Sequence, residues 1–224
     1  MPAAAAQLSP RDRRMTEILG HAARLFADKG YDGASLRGLA RATGISLAGL
    51  YHYFQSKEAL LYELQRHTLR TVLGAALAAA ADRPPRAGLE AVIANHLRYF
   101  LANRAAMKVL SHEDEVLTGA YAAEIAALKH QYYELCLGLV AAIAPRQGLP
   151  RVSPRTAVMS LFGMLNWIYT WHRDRRDPSA EELAAEMTAL YLGGWSPAKN
   201  HHDQARAKLA KRSTNGHRYQ TTNR

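Results

Sequence analysis

A chain of 224 residues suits one domain or two small ones, and 48% hydrophobic residues supply enough apolar surface for a sizeable core, which excludes global disorder. The formal charge of +10 is unevenly placed: eight Lys and Arg face five Asp and Glu in residues 1–60, fourteen face thirteen in 61–194, and seven face one in 195–224. Basic ends around a balanced middle favour an anionic partner at the ends, although a basic tail also serves solubility alone. The single cysteine, Cys136, excludes an internal disulfide and a Cys-based zinc site within one chain, and fits a reducing, cytoplasmic compartment. No run of about 18 uncharged apolar residues occurs, so no membrane span is expected. "MPAAAAQL" lacks the basic segment that opens a signal peptide.

Alanine and leucine dominate and β-branched runs are nearly absent, which predicts an all-α protein. Ser9-Pro10 reads as an N-cap followed by proline at the first helical position. Ile18, Ala22, Leu25 and Phe26 then recur at helical spacing up to Lys29, and Gly30 follows as the C′ residue. Ser35 caps a second helix over residues 36–43, "LRGLARAT", and Gly44 supplies the positive φ of a tight turn. Ser46 caps a third over residues 47–54, "LAGLYHYF". Ser56 caps a long fourth helix from Lys57 to near Ala81, which Pro84-Pro85 stop. Further helices are expected near 86–102, 104–112, 118–144, 154–172 and 179–194, with a capping box of Ser179 and Glu182 opening the last. Residues 198–224 are polar, basic and expected to be disordered. The organisation read from this pattern is a DNA-binding region over 1–60, a helical domain over 61–195 and a basic tail over 196–224.

The second helix, glycine turn and third helix form a helix-turn-helix, whose second helix lies in the major groove. Ala48 and Gly49 are small enough for close backbone approach to DNA, and Leu50 faces the core with Leu39 and Ile45. In the aromatic run, Tyr51 is placed to reach a phosphate and His52 a phosphate or a base. Phe54 turns inward, and Tyr53 is ambiguous between the two. Lys57 stands at a helix start, where free N–H groups already favour phosphate. From spacing alone, a packed helical turn with no DNA contact explains "GLYHYF" equally well.

The stretch "ASLRGLARATGISLAGLYHYFQSKEALL" resembles the DNA-binding domain of TetR-family transcriptional regulators. The family signature ends in a Leu-Tyr-x-x-Phe and a Ser-Lys-Glu-x-Leu, which here are Leu50, Tyr51, Phe54, Ser56, Lys57, Glu58 and Leu60. Upstream, "ILGHAARLFADKGYDGASLRGLA" resembles the family's first helix, so the likeness covers residues 14–62. The resemblance implies phosphate contacts by Ser35, Tyr51 and Lys57, and a base-facing surface of Leu47, Ala48, Gly49 and His52. The chain departs from the family where many members carry lysine at the place of Leu47 and Ser or Thr at that of Gly49. Direct polar readout is missing there, Leu47 suits a thymine methyl, and Arg37 and Thr43 become the polar candidates. Arg11, Arg13 and Arg14, at the start of the first helix, are expected within reach of an adjacent groove or phosphates.

For the larger half the resemblance implies a ligand-binding and dimerisation domain. Apolar residues on more than one face of the last two helices suit either a symmetric four-helix bundle with a second copy or burial within one chain. In "GMLNWIYTWHRDRR", residues Gly163–Arg176, Trp167 and Trp171 are four apart and three arginines follow. This segment resembles the matching helix of members that sense acyl-CoA thioesters, in which arginines meet the CoA phosphates. The alternative is an interface helix with a charged end. The candidate lining is Tyr99, Met107, Leu110, Tyr121, Tyr132, Trp167, Trp171 and Arg173. "SHEDE", residues 111–115, offers one local pair at metal-ligand spacing, His112 and Glu115, and reads as a solvated turn. No nucleophile elbow, P-loop or dinucleotide fingerprint appears, so neither an enzyme nor a cofactor is expected. The expected protein is a homodimeric repressor bound to a palindromic double-stranded DNA operator and released by a small hydrophobic effector, an acyl-CoA thioester among the candidates. A sensor of drugs or other small molecules and a non-specific nucleoid-type binder are the alternatives.

Overall fold

Serine hydroxyls set most of the helix starts, each accepting the backbone N–H three residues on, the hydrogen bond that an N-cap supplies to an otherwise orphaned donor. The computed structural model describes residues 9–113, 115–143 and 152–193. The basic tail and the break at 144–151 lie outside the described residues. Ser9 accepts from Asp12 N at 3.1 Å and opens α1, Pro10–Gly33. Inside it Gly30, at φ 69°, ends the regular turn where the C′ glycine was expected. Ser35 opens α2, Leu36–Thr43, and Gly44 closes it in the left-handed region at φ 68°. Ser46 opens α3, and Ser56 opens the 24-residue α4, Lys57–Ala80. α3 spans Leu47–Tyr51, three residues short of the expected end, because His52 N and Tyr53 N bond back three residues, to Gly49 O and Leu50 O.

α5 (Pro85–Ala102), α6 (Arg104–His112) and α7 (Gly119–Ala142) follow as anticipated to within a residue or two. The helix expected over 154–172 is two helices. α8, Pro154–Asn166, stops at Trp167 (φ −87°, ψ −3°), and α9 is the short Ile168–Trp171. Thr170 explains the break: both its N–H and its hydroxyl bond to Trp167 O, at 3.1 and 2.7 Å, which tightens the turn. The two tryptophans therefore do not share a face of one continuous helix. α10, Ala180–Gly193, opens on the expected capping box, with Ser179 Oγ accepting from Glu182 N and Glu182 Oε2 accepting from Ser179 N.

Residues 9–188 belong to one unit, and of the second, from Ala189 on, only the end of α10 is described. α4 is the axis of the first unit. Its Leu60, Leu61, Leu64, Leu69, Val72, Leu73 and Ala76 are buried, and along its length it packs against α1, α5, α6 and α7. No helix among the described residues is long and apolar enough to cross a membrane.

Candidate nucleic-acid interface and effector cavity

Leu39, Leu50 and Phe54, all at most 1% exposed, form the core under α2 and α3, which pack on each other while α2 packs on α1. Around this core Ser35, Arg37, Ala48, Tyr51 and His52 are exposed, and Leu47, Gly49 and Tyr53 are half-buried. Tyr51 turns outward, whereas Tyr53 leans on Phe54 with ring centroids 6.2 Å apart. Gly49 has a reason beyond DNA approach: a Cβ there would lie 2.8 Å from Ile45 Cγ2 and 3.1 Å from Ser46 Oγ. Ile45 is half-buried at this turn rather than a member of the core.

Two polar candidates have other work in the free protein. Lys57 Nζ donates to Tyr31 O at 2.9 Å and Ala34 O at 3.3 Å, and lies 4.2 Å from the Tyr31 ring centroid. Its ammonium joins α4 to the connection between α1 and α2. Thr43 Oγ1 donates to Leu39 O at 2.9 Å and accepts from Ile45 N at 3.4 Å, which closes α2. Among the candidates for polar base contact, Arg37 keeps an exposed side chain.

Outside the head, which α1, α2 and α3 form, a cavity of about 540 Å³ opens between α4 and α9. Leu69 and Val72 of α4, Met107 and Leu110 of α6, and Met159 and Phe162 of α8 make it largely apolar. Met107, Leu110, Tyr132 and Trp167 are on its wall as expected from the sequence. The other four candidates are not. Tyr99 sits against Thr68 and Thr71 of α4, and burial pushes its phenol up. Tyr121 stacks on Tyr62 at 4.2 Å. Trp171 follows the break and points to solvent. Arg173 donates to His172 O at 3.1 Å and Thr170 O at 3.3 Å, capping α9. The polar wall residues, His96, Ser111, His112, Lys129, Asn166 and Tyr169, were not among the residues expected to line a pocket. For His96 a signal existed: a histidine among apolar positions of a core helix.

His96 is 5% exposed, its Nδ1 lies 3.1 Å from the Tyr132 hydroxyl, and its Nε2 has no hydrogen-bond partner. Burial pushes its pKa down to about 4, with the Asn166 side chain opposing, so the imidazole is neutral at pH 7. Burial also drives the Tyr132 phenol up and the Cys136 thiol up to about 12. α6 connects this cavity to the head. Its His112 Nδ1 bonds to Lys108 O at 3.0 Å, leaving Nε2 to accept from Tyr169 OH at 3.1 Å. Lys108 Nζ donates to Ala27 O of α1 at 2.7 Å, and Glu113, next to α6, accepts from Tyr31 N at 3.1 Å.

A helix-turn-helix carried by one long helix on a helical body defines a DNA-binding transcriptional regulator. Residues 18–64 match the family described as "Bacterial regulatory proteins, tetR family", and residues 82–195 match "Tetracyclin repressor-like, C-terminal domain". The chain belongs to the TetR family, and it is a regulator and not an enzyme. It is 31% identical over 209 residues to the HTH-type transcriptional repressor KstR2 of Rhodococcus jostii (strain RHA1), covering 89% of this chain and 99% of that protein. It is also similar to the solved TetR-family regulator PfmR from Thermus thermophilus, with TM-score 0.73, 31% identity, and 85% and 100% of the two chains covered. A third likeness is to AibR, solved in complex with isovaleryl coenzyme A and operator DNA, with TM-score 0.69, 29% identity, and 79% and 97% covered.

Proposed function

We propose that the chain is a homodimeric cytoplasmic repressor that leaves a near-palindromic operator when a small hydrophobic effector fills the cavity between α4 and α9. The observation that carries this reading is that α4 and α6 line the cavity and also contact the head, so a ligand that moves either one reorients α3. Two copies of α3 must lie about one helical turn of DNA apart to occupy successive major grooves. An effector releases DNA only if it binds the unbound form more tightly, and the coupling is reciprocal. Exposed Met159 and Trp167 at the α8 end of the cavity support a second copy against this face. An acyl-CoA thioester is the first effector class to try, because AibR binds one. A cavity of 540 Å³ takes the acyl part and leaves the nucleotide outside.

Genomic fragments captured on the purified protein, with and without mixed acyl-CoA thioesters and with free CoA as control, test the reading. One enriched palindrome released by acyl-CoA alone supports all of it. Enrichment without release removes the acyl-CoA assignment, and capture without sequence preference removes the operator-specific repressor.

The head geometry separates two substitutions. Tyr51→Phe is expected to weaken binding about tenfold on every operator variant, with the melting temperature unchanged, as loss of a backbone phosphate contact does. Lys57→Met is expected to lower the melting temperature, because Tyr31 O and Ala34 O lose their donor. Titrations over operator variants together with thermal melts distinguish them. A switch in base preference by Tyr51→Phe would place Tyr51 on the bases. A second pair addresses coupling. Lys108→Met with Glu113→Gln removes the ties between α6 and α1, so effector affinity should stay within about twofold while effector-driven operator release falls several-fold. Equal release by this variant would leave α4 as the sole route.

A further inference from the structure

The cavity contains a built donor with nothing to bond. Tyr132 OH has one hydrogen, and the acceptor within reach is His96 Nδ1 at 3.1 Å. A phenol buried to 7% exposure takes that bond, because an unmade hydrogen bond in the interior leaves its desolvation uncompensated. The imidazole proton then resides on Nε2, which is buried, without a partner, and part of a residue on the cavity wall. Asn166 stands on the same wall, and its side chain opposes the burial shift as a hydrogen-bonding group, but it forms no bond of ordinary length and angle to Nε2. A buried N–H on a residue that shares its wall with apolar Val72, Met107 and Phe162 is incomplete until something accepts from it.

We propose that the effector carries an uncharged hydrogen-bond acceptor, a carbonyl-type oxygen on an apolar skeleton, that bonds to His96 Nε2–H, and that Tyr132 is the positioning residue fixing this tautomer. The inference rests on reading the cavity as the effector site. A carboxylate is disfavoured at this position. It would have to leave water for a neutral donor, and the desolvation of an ion exceeds what one such bond returns. A carboxylate elsewhere on the molecule would be drawn to Lys129, three residues from Tyr132 on the same face of α7.

Three probes of nearly the same shape test this on the purified full-length protein: acetophenone, isopropylbenzene and benzoate, titrated by nuclear magnetic resonance. A cavity without a waiting donor favours the hydrocarbon, since a carbonyl loses its water without replacement. The expected order is the reverse, with acetophenone bound about tenfold more tightly than isopropylbenzene and benzoate weaker than the ketone. His96→Leu should restore the hydrocarbon's advantage. Tyr132→Phe should remove most of the ketone preference, because Nδ1 can then take the proton. The ¹⁵N shifts of His96 should report the Nε2–H tautomer in the free protein, with Nε2 moving on addition of acetophenone. An isopropylbenzene preference in the wild-type protein overturns the proposal, as does the Nδ1–H tautomer, tight benzoate binding that depends on His96, or no binding by any of the three. Operator release is measured separately. A ketone preference that depends on His96 and is not accompanied by release leaves this assignment standing and sinks the sensor reading.

Discussion

Phe54→Ala is expected to destabilise the protein by about 3–5 kcal/mol and to abolish operator binding while the effector cavity still takes its ligand. Phe54 is 1% exposed, and it is held at the close of the recognition turn by a bond from its N–H to Leu50 O at 3.0 Å. Its ring is buried just after α3, with Tyr53 leaning on it. α2 and α3 are only eight and five residues long, too short to persist without tertiary packing. A loss of this size is a large share of a total stability of about 5–15 kcal/mol, and it falls on the small head rather than on the α5, α7 and α8 body. Thermal melts, fragment binding and ligand titration on one sample measure the three effects. Retained operator binding with an unchanged melt would mean that the buried ring at position 54 is not what holds α3 in place for DNA.

The head was readable because its signals are local. Ser35, Ser46 and Ser56 each bond to an N–H three residues on, and Gly30 and Gly44 adopt positive φ, so five positions are set by chemistry within one turn of themselves. The residue reading already set Tyr51 outward and Phe54 inward, and family resemblance then favoured a DNA-facing turn where spacing alone left a packed turn open. The parts that were not legible share a different cause. Lys57 has a long flexible stem, and no sequence pattern tells whether it reaches a phosphate or the carbonyls of Tyr31 and Ala34. Trp167 ends α8 because of a threonine three residues on, a bond that helical spacing does not register. The cavity lining was half legible. On α7 Leu128, Tyr132 and Cys136 are buried, but Leu135, Leu137 and Leu139 are equally apolar, so the inward face has no sequence contrast. Periodicity also shows which residues turn inward without showing whether they meet a neighbour or a void, and that difference separates Tyr99 and Tyr121 from Tyr132.

His96 should make stability fall as the solution is acidified from pH 6.5 toward 4, by roughly 3 kcal/mol across that window. The sign follows from the direction of its shift. Burial lowers the folded pKa to about 4 from the ordinary 6.5, so the unfolded chain takes up the proton first and acid favours unfolding. Above pH 6.5 both states are neutral and the contribution is fully present. The groups around His96 do not add titrations of their own in this range: the Tyr132 phenol and the Cys136 thiol are both pushed upward, away from it. His67 is lowered as well, by burial and then by Arg66, and contributes with the same sign. Glu124, Glu181 and Glu182 are held below the ordinary carboxylate range by their hydrogen bonds and act at the acid end. Urea unfolding at pH 7.5 and pH 5 isolates the histidines, and His96→Leu isolates one of them: its pH slope should be shallower than the wild type's, with the His67 share remaining. Equal slopes would mean that the folded protein accommodates a charged imidazole at position 96. Such an imidazole would meet water or an anion in the cavity, and the effector would then be chosen by charge instead of by a neutral acceptor. A shallower slope would tie the acid sensitivity of the fold and the chemistry of the cavity to the same buried, neutral ring.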